Sequence, residues 1–532
     1  MGAVSAPILA ALAGISAHLF VFRIGEWDVA SPSILTSHLA VFIATGWASH
    51  TLYGASIASA SRCIGSYIAG LYLSMALYRL CFHRLRNYPG PFWARLSNLY
   101  ITALSAKKLR LFEVVQKLHN EYGDFVRLGP SELSITHPDA VRAIYSSQSP
   151  TVKGPFYSLL EPRTPLFTVR DKREHARRRK VWDQGFTTKA LHDYNYRITK
   201  AILDVMTVLD REHDKPVDIT KWFSFFAFDI MEDLAFNQNS NLVRDGREKF
   251  IFKTMRQDSM GIALLSHLLW LLPLLKRTPI LNRNYLQFWK WIQDKIDERT
   301  NNQPDQPDIF SWILADFEKG PKTRRDRWNL HGDAQLIVVA GSDTTSTTLT
   351  HLFFELAGHA ELLKNLQREF DALPDLSNES LSTVVLLEAV IQETLRLHPA
   401  VPSGTQRLTP PEGLQIGDHH VPGNTIVQVP SYTIFRDARF FDEPNEFIPE
   451  RWTTRPELVR DSSVFIPFNI GPYSCVGKRL AMLELRRTTA EILSRYDVRM
   501  APGQTKEAFL EEKKDTFTVI LPPLNLIFTP RS

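Results

Sequence analysis

Apolar and polar positions divide the chain into an uncharged N-terminal stretch and a long patterned remainder. Residues 1–22, 29–61 and 63–78 contain no Asp, Glu, Lys or Arg. A transmembrane helix needs about 20 mostly apolar residues. Residues 3–22 and 34–52 have that length, the second diluted by Ser, Thr and His. The third run is shorter, with Arg79 placed to reach lipid headgroups. The pattern predicts an N-terminal membrane anchor over residues 1–85, with one to three transmembrane helices. Basic residues gather after Leu80, at Arg84, Arg86, Arg95, Lys107, Lys108 and Arg110. Flanking Lys and Arg mark the cytoplasmic side, so the remainder is expected in the cytosol. No basic segment precedes the first run, which argues against a cleaved signal peptide.

Tyr88-Pro89-Gly90-Pro91 stops any helix leaving that region, because proline fixes φ and lacks a donor. Alternation over residues 126–135, around Gly129-Pro130, predicts a hairpin. Apolar residues then recur at three- and four-residue steps, as in 189–209 and 334–356, and predict helices. Polar loops are expected at 301–308 and 373–382. Short strands are expected at 414–416, 425–429 and 517–521. The fold class is therefore mainly α with small β-sheets (α+β), with no internal repeat. Residues 86–532 are expected to form one domain behind the anchor.

Composition narrows this picture a little. Of the 532 residues, 44% are apolar and 22% charged, which is ordinary for a globular chain. The net charge of +5, from 62 basic and 57 acidic groups, is too balanced to suggest nucleic acid. Three cysteines, Cys63, Cys81 and Cys475, make no disulfide framework and suit a reducing compartment.

Cys475 stands apart, in Phe468-Asn469-Ile470-Gly471-Pro472-Tyr473-Ser474-Cys475-Val476-Gly477. A free cysteine is most often a buried, inert side chain. Here two glycines flank it in a turn-rich loop, and a helix-like run follows from Lys478. Backbone N–H groups at such a helix start favour a thiolate, the form that binds iron. Gly471 and Gly477 leave room for a flat macrocycle against the backbone. A second anomaly is Ala340-Gly341-Ser342-Asp343-Thr344-Thr345, in the middle of an apolar helix. Asp and paired Thr compete there for backbone hydrogen bonds, and Gly341 costs roughly 1 kcal/mol relative to Ala. Taken alone, that segment is a solvated kink; a local rule broken in mid-helix also marks functional sites.

The pattern Phe-x-x-Gly-x-x-x-Cys-x-Gly resembles the haem-binding loop of the cytochrome P-450 family, and the resemblance extends over residues 88–532. Residues 122–130 look like the first hairpin of its fungal members. By that resemblance Cys475 is the axial ligand of the haem iron, and Phe468, Gly471 and Gly477 shape the cofactor-binding loop. Gly341 would leave room for O₂, while Asp343 and Thr344 would deliver protons as the catalytic pair. His175 and Arg179, four apart on one helix face, and Arg407 match positions that meet the haem carboxylates. Glu393, Arg396 and Arg451 match a buried structural triad. One departure stands out: the family often carries a basic residue two positions before the cysteine, where this chain has Tyr473.

The resemblance implies haem b (iron protoporphyrin IX) as cofactor and insertion of one oxygen atom from O₂ into an apolar small molecule. The fungal character suggests a secondary metabolite of terpenoid, alkaloid or polyketide type. A haem-thiolate isomerase or dehydratase is the competing enzyme reading, and a non-catalytic haem sensor the competing non-enzyme reading. No Gly-x-Gly-x-x-Gly fingerprint follows a strand, so electrons are expected from a separate NADPH-cytochrome reductase. Lys478, Arg479, Arg177, Arg178 and Lys180 are the expected basic docking surface. The other expected partner is membrane lipid, with the endoplasmic reticulum as location.

Overall fold

Thr323 accepts a hydrogen bond from the Asp326 backbone N–H, and the Asp326 side chain reaches back to the Thr323 N–H. This capping box opens the helix Arg324–Gly358, whose 35 residues form the axis of the protein. Structural detail comes from a computed structural model, which describes residues 2–54, 56–238 and 240–531. The long helix packs against Ile219–Phe236, Ile309–Lys319, Val385–Leu397 and Lys478–Leu493. Ile219–Phe236 is buried almost all round, with Phe223, Phe225, Phe226 and Phe228 each at most 1% exposed. A helix apolar on every face belongs to a core. Truncating one such ring to Ala costs about 3–5 kcal/mol.

The sheets are small and peripheral. The largest runs in the order Phe125–Gly129, Glu132–Ile135, Ile426–Gln428, Arg407–Leu408 and Val152–Lys153. Its last pair is antiparallel and sets Lys153 opposite Arg407. The expected hairpin over 126–135 is its first pair, with an irregular register between Arg127 and Gly129. Strands Pro216–Asp218, Asn525–Pro530 and Tyr496–Met500 make a second sheet. The expected helices appear as Thr188–Arg211 and within Arg324–Gly358. The loop at 301–308 is pinned by a buried ion pair, Arg299 to Asp308 at 3.1 Å. The strand expected from 517 begins one residue later. Phe517 itself is the turn between Lys514–Thr516 and Thr518–Ile520, with φ +79°.

The N-terminal region folds as Gly2–Ala17, Ser31–Tyr53 and Ile57–Leu77, the first and third ending in single wide turns. Gly14 and Gly70 bring the first and third helices together. A Cβ on Gly14 would lie 2.1 Å from the Tyr67 carbonyl oxygen, and one on Gly70 2.2 Å from that of Ala11. The expectation of transmembrane helices is not met: no helix among the described residues is long and apolar enough to cross a membrane. Gly2–Ala17 is 16 residues long and contains Pro7. Ser31–Tyr53 is long enough but diluted by Ser, Thr and His, and Ile57–Leu77 carries Arg62 and several serines. The region also touches the rest of the protein. Arg170 holds Glu26 with two bonds, at 2.5 and 2.7 Å, and the Ser31 hydroxyl donates to the Trp270 carbonyl. Leu85 is fully buried in the cluster that includes Phe125 and Val427.

Candidate active site

A cavity of about 430 Å³ lies between the cysteine loop and the long helix. Cys475 lines one side, and Ala340, Gly341, Asp343 and Thr344 line the other. The loop is folded tightly. The Cys475 N–H donates to the Phe468 carbonyl at 2.8 Å, and the Ser474 N–H to that of Gly471 at 3.1 Å. Gly471 has φ +68°, and a Cβ there would lie 2.3 Å from the Tyr145 carbonyl oxygen, so only glycine fits. A Cβ on Gly477 would meet nothing closer than 3.8 Å, yet it would sit 3.9 Å from Cys475 Sγ. Protein packing does not demand that glycine; the clear approach to the sulfur does. Phe468 lines the cavity beside it. Burial raises the Cys475 thiol above its ordinary pKa. The N–H groups of Gly477 and Lys478, at the start of Lys478–Leu493, and the charge of Arg179 pull it back down. A bound cation must supply the remaining stabilisation of a thiolate here.

Across the cavity the long helix runs unbroken through residues 340–345. The hydroxyls of Ser342 and Thr344 are satisfied by carbonyls four residues back, Val338 at 2.6 Å and Ala340 at 2.8 Å. Burial raises the Asp343 carboxyl to about 6, against the opposing charge of Arg256. Asp343 can therefore hold a proton near neutral pH. Gly341 has a second role that sequence reasoning missed. A Cβ there would meet the Met231 side chain at 2.6 Å, so this glycine lets Ile219–Phe236 pack close to the long helix.

The remaining predicted residues fall into two groups. His175 and Arg179 lie on Lys172–Gln184, which Asp171 caps by accepting the Glu174 N–H at 2.7 Å. Both line the cavity, as does Arg407. Burial and the charges of Lys153, Arg179, Arg178 and Arg407 push His175 down to about 3. Arg179 donates to the Ser474 carbonyl at 2.6 Å and to Asp183 at 2.7 Å, tying the helix to the cysteine loop. Arg407 donates to Tyr157 Oη at 3.2 Å, while its Nε is buried without a partner. The second group is Glu393, Arg396 and Arg451, all at most 1% exposed. Glu393 accepts from Arg396 at 2.8 and 2.9 Å and from Arg451 at 2.9 Å. Trp452 Nε1 also donates to it, at 2.9 Å. Both arginines spend their remaining donors on backbone carbonyls.

The expected docking surface is smaller than its sequence suggests. Arg177 pairs with Glu174 at 2.9 Å and Asp316 at 3.1 Å. Arg178 is buried on Asp333. Lys180, Lys478 and Arg479 remain exposed.

Lys153 and Tyr157 also line the cavity, as does Glu484, which sequence reasoning missed. Lys153, Arg179 and Arg407 are the only Lys or Arg side chains among the described lining residues, and no ion pair joins Lys153 or Arg407 to an acid. Buried cations without counter-charges are costly, so this rim is built for a carboxylate-bearing ligand. With the cleared sulfur below and apolar walls around it, the set fits an iron porphyrin.

The sequence profile "Cytochrome P450" matches residues 89–529. The chain is 50% identical over 470 residues to cytochrome P450 monooxygenase orf5 of Eupenicillium brefeldianum, covering 88% of this chain and 96% of that protein. It is 46% identical to cytochrome P450 monooxygenase FCK2 of Fusarium pseudograminearum, over 98% of this chain and 96% of that one. It is 34% identical to tryprostatin B 6-hydroxylase of Aspergillus fumigatus, over 98% and 96%. Geometry and likeness agree, and the chain belongs to the cytochrome P450 family of haem-dependent monooxygenases.

Proposed function

We propose that this chain uses haem b to insert one oxygen atom from O₂ into a neutral, largely apolar, ring-bearing secondary metabolite, with electrons from an NADPH-dependent reductase. The observation that carries this reading is one cavity with Cys475 on one side and the Asp343–Thr344 pair on the other. Bound there, the haem supplies the one-electron and O₂ chemistry. The chain's own residues bind, orient and move protons. Asp343 holds a proton on its carboxyl up to about pH 6. The Thr344 hydroxyl beside it gives its proton to the Ala340 carbonyl and presents its oxygen as an acceptor at the cavity face. An isomerase or a haem sensor has no use for this pair.

The substrate class follows from the walls. Away from the cationic rim, the lining has no positive side chain among the described residues, and its acids are Asp343 and Glu484. Phe517 stacks on Phe156 at 5.3 Å, and Phe167 meets Phe517 edge-on at 5.5 Å. Such a cluster suits flat rings, which gain from stacked and edge contacts. The relative named tryprostatin B 6-hydroxylase oxidises a fungal small molecule, in keeping with a reaction of this kind.

The reductase would meet the surface around Lys180, Lys478 and Arg479, beside the cysteine loop. Exposed apolar side chains of the N-terminal region, such as Phe20, Trp27 and Trp47, support contact with a membrane surface. An endoplasmic-reticulum location with residues 86–532 in the cytosol fits that contact. The test is turnover of candidate ring-bearing metabolites under ¹⁸O₂ with and without reductase. One labelled oxygen per product and full dependence on reductase are expected. Unlabelled product, or turnover without reductase and O₂, would contradict the reading.

A further inference from the structure

Tyr473 stands two residues before Cys475, where the family often has a cation, and a neutral phenol cannot supply charge there. The structure surrounds it with cations from elsewhere. Lys153 Nζ lies 4.8 Å from the centre of the Tyr473 ring, and Arg407 Cζ also lies 4.8 Å from it. The His175 ring meets it edge-on at 4.7 Å. Lys153 reaches this place because its strand pairs with that of Arg407, residue opposite residue. It is only 3% exposed, and its ammonium donates to the carbonyls of Leu166 at 3.1 Å and Phe167 at 2.7 Å.

Two polar atoms in this cluster have nothing to bond to. Tyr473 Oη and Arg407 Nε are both buried without a hydrogen-bond partner. Carbonyls satisfy the ammonium of Lys153 in part, but no acid neutralises it. A buried lysine in an apolar strand edge is rare unless it is paired. Simple core packing at this point would be served by Met or Leu, without a desolvated charge. An anion bound at the rim would account for Lys153, Arg407 Nε and Tyr473 Oη together.

We propose that Lys153 and Tyr473 act as a unit in place of the absent basic residue, binding the haem carboxylates. Lys153 supplies the cation and the Tyr473 hydroxyl a neutral donor. This rests on the haem reading above. The aromatic ring also screens Lys153 from Arg407 through cation–π contact.

The test is transfer of haem from the ferric protein to excess apomyoglobin, with circular dichroism to check the fold. Lys153→Met should speed haem loss roughly tenfold to a hundredfold, the worth of one charge-assisted hydrogen bond. Lys153→Arg should stay close to wild type. Tyr473→Arg should make Lys153→Met nearly silent, because the cation is then restored at the other position. In protein loaded with haem dimethyl ester, whose carboxylates are capped, Lys153→Met should change nothing. If Lys153→Met alone does not accumulate, Tyr473→Arg is compared with the double variant, and equal loss rates are expected. The inference falls if Lys153→Met holds haem as wild type does, if the double variant loses it faster than Tyr473→Arg, or if the ester-loaded protein shows the same drop. A wild-type protein that holds no haem overturns the haem reading as well.

Discussion

Arg178 Nη2 meets Asp333 Oδ2 at 2.5 Å, with both side chains buried, and so ties the helix of His175 to the long helix of Thr344. The other arms of the pair hold the cavity wall. Arg178 Nη1 donates to the Thr164 carbonyl, and Asp333 Oδ1 accepts the Leu166 N–H at 2.8 Å. The two sides of the active site are fixed to each other through this pair.

Removing one partner leaves a buried, uncompensated charge. Arg178→Ala should destabilise the protein by about 3–5 kcal/mol and lower haem content. Asp333→Asn, which keeps an acceptor for Leu166, should cost less. Thermal unfolding of both variants checks this. A surface-like effect below about 0.5 kcal/mol would show that the pair is not structural.

Asp343 and Thr344 should govern how electrons are used. Thr344→Ala should cut product formed by roughly a hundredfold, the usual worth of a positioned group in proton transfer, while NADPH consumption continues as peroxide. Asp343→Asn should slow product formation and flatten its pH dependence near 6, where the wild-type carboxyl loses its proton. Parallel assays of product, peroxide and NADPH decide the matter. Normal coupling in both variants would leave the pair without a catalytic part.

Burial raises the Glu484 carboxyl to about 8, with Thr345 opposing, and Glu484 Oε1 has no hydrogen-bond partner. The folded state therefore holds a proton that the unfolded chain releases near 4.5. This contribution to stability is full below about pH 4.5 and fades as pH rises through 8, on the order of a few kcal/mol. Glu484→Gln should remove that loss, so that the variant gains on wild type between pH 5 and 9. Chemical denaturation at those two values checks it. A variant that loses ground at pH 9 would mean that Glu484 is ionised and paired in the folded state.

The chemistry-bearing segments were legible because their signals are local. A cysteine between glycines before a helix, and an acid–alcohol pair inside an apolar helix, each break a rule within ten residues. Lys153 gave no such signal: its burial comes from strand pairing with Arg407, far along the chain. Arg177 and Arg178 read as a basic run, but the acids that absorb them, Asp316 and Asp333, lie on other helices. Trp452 follows Arg451 directly, yet its bond to Glu393 depends on a turn that no periodicity encodes. Phe517 has the composition of a strand residue, and only the tight Thr516–Thr518 pairing forces it into the turn. Uncharged length suggested membrane spans at the N-terminus, but Ser, Thr, His and Arg62 dilute those helices below the apolarity a span requires.

Iron ligation by Cys475 is the centre of the account, and the reduced, carbon monoxide-bound spectrum reads it directly. Wild-type protein should show the red-shifted band of a thiolate-ligated haem. Cys475→Ser should lose that band while still folding. Survival of the red-shifted band in Cys475→Ser would show that another group holds the iron.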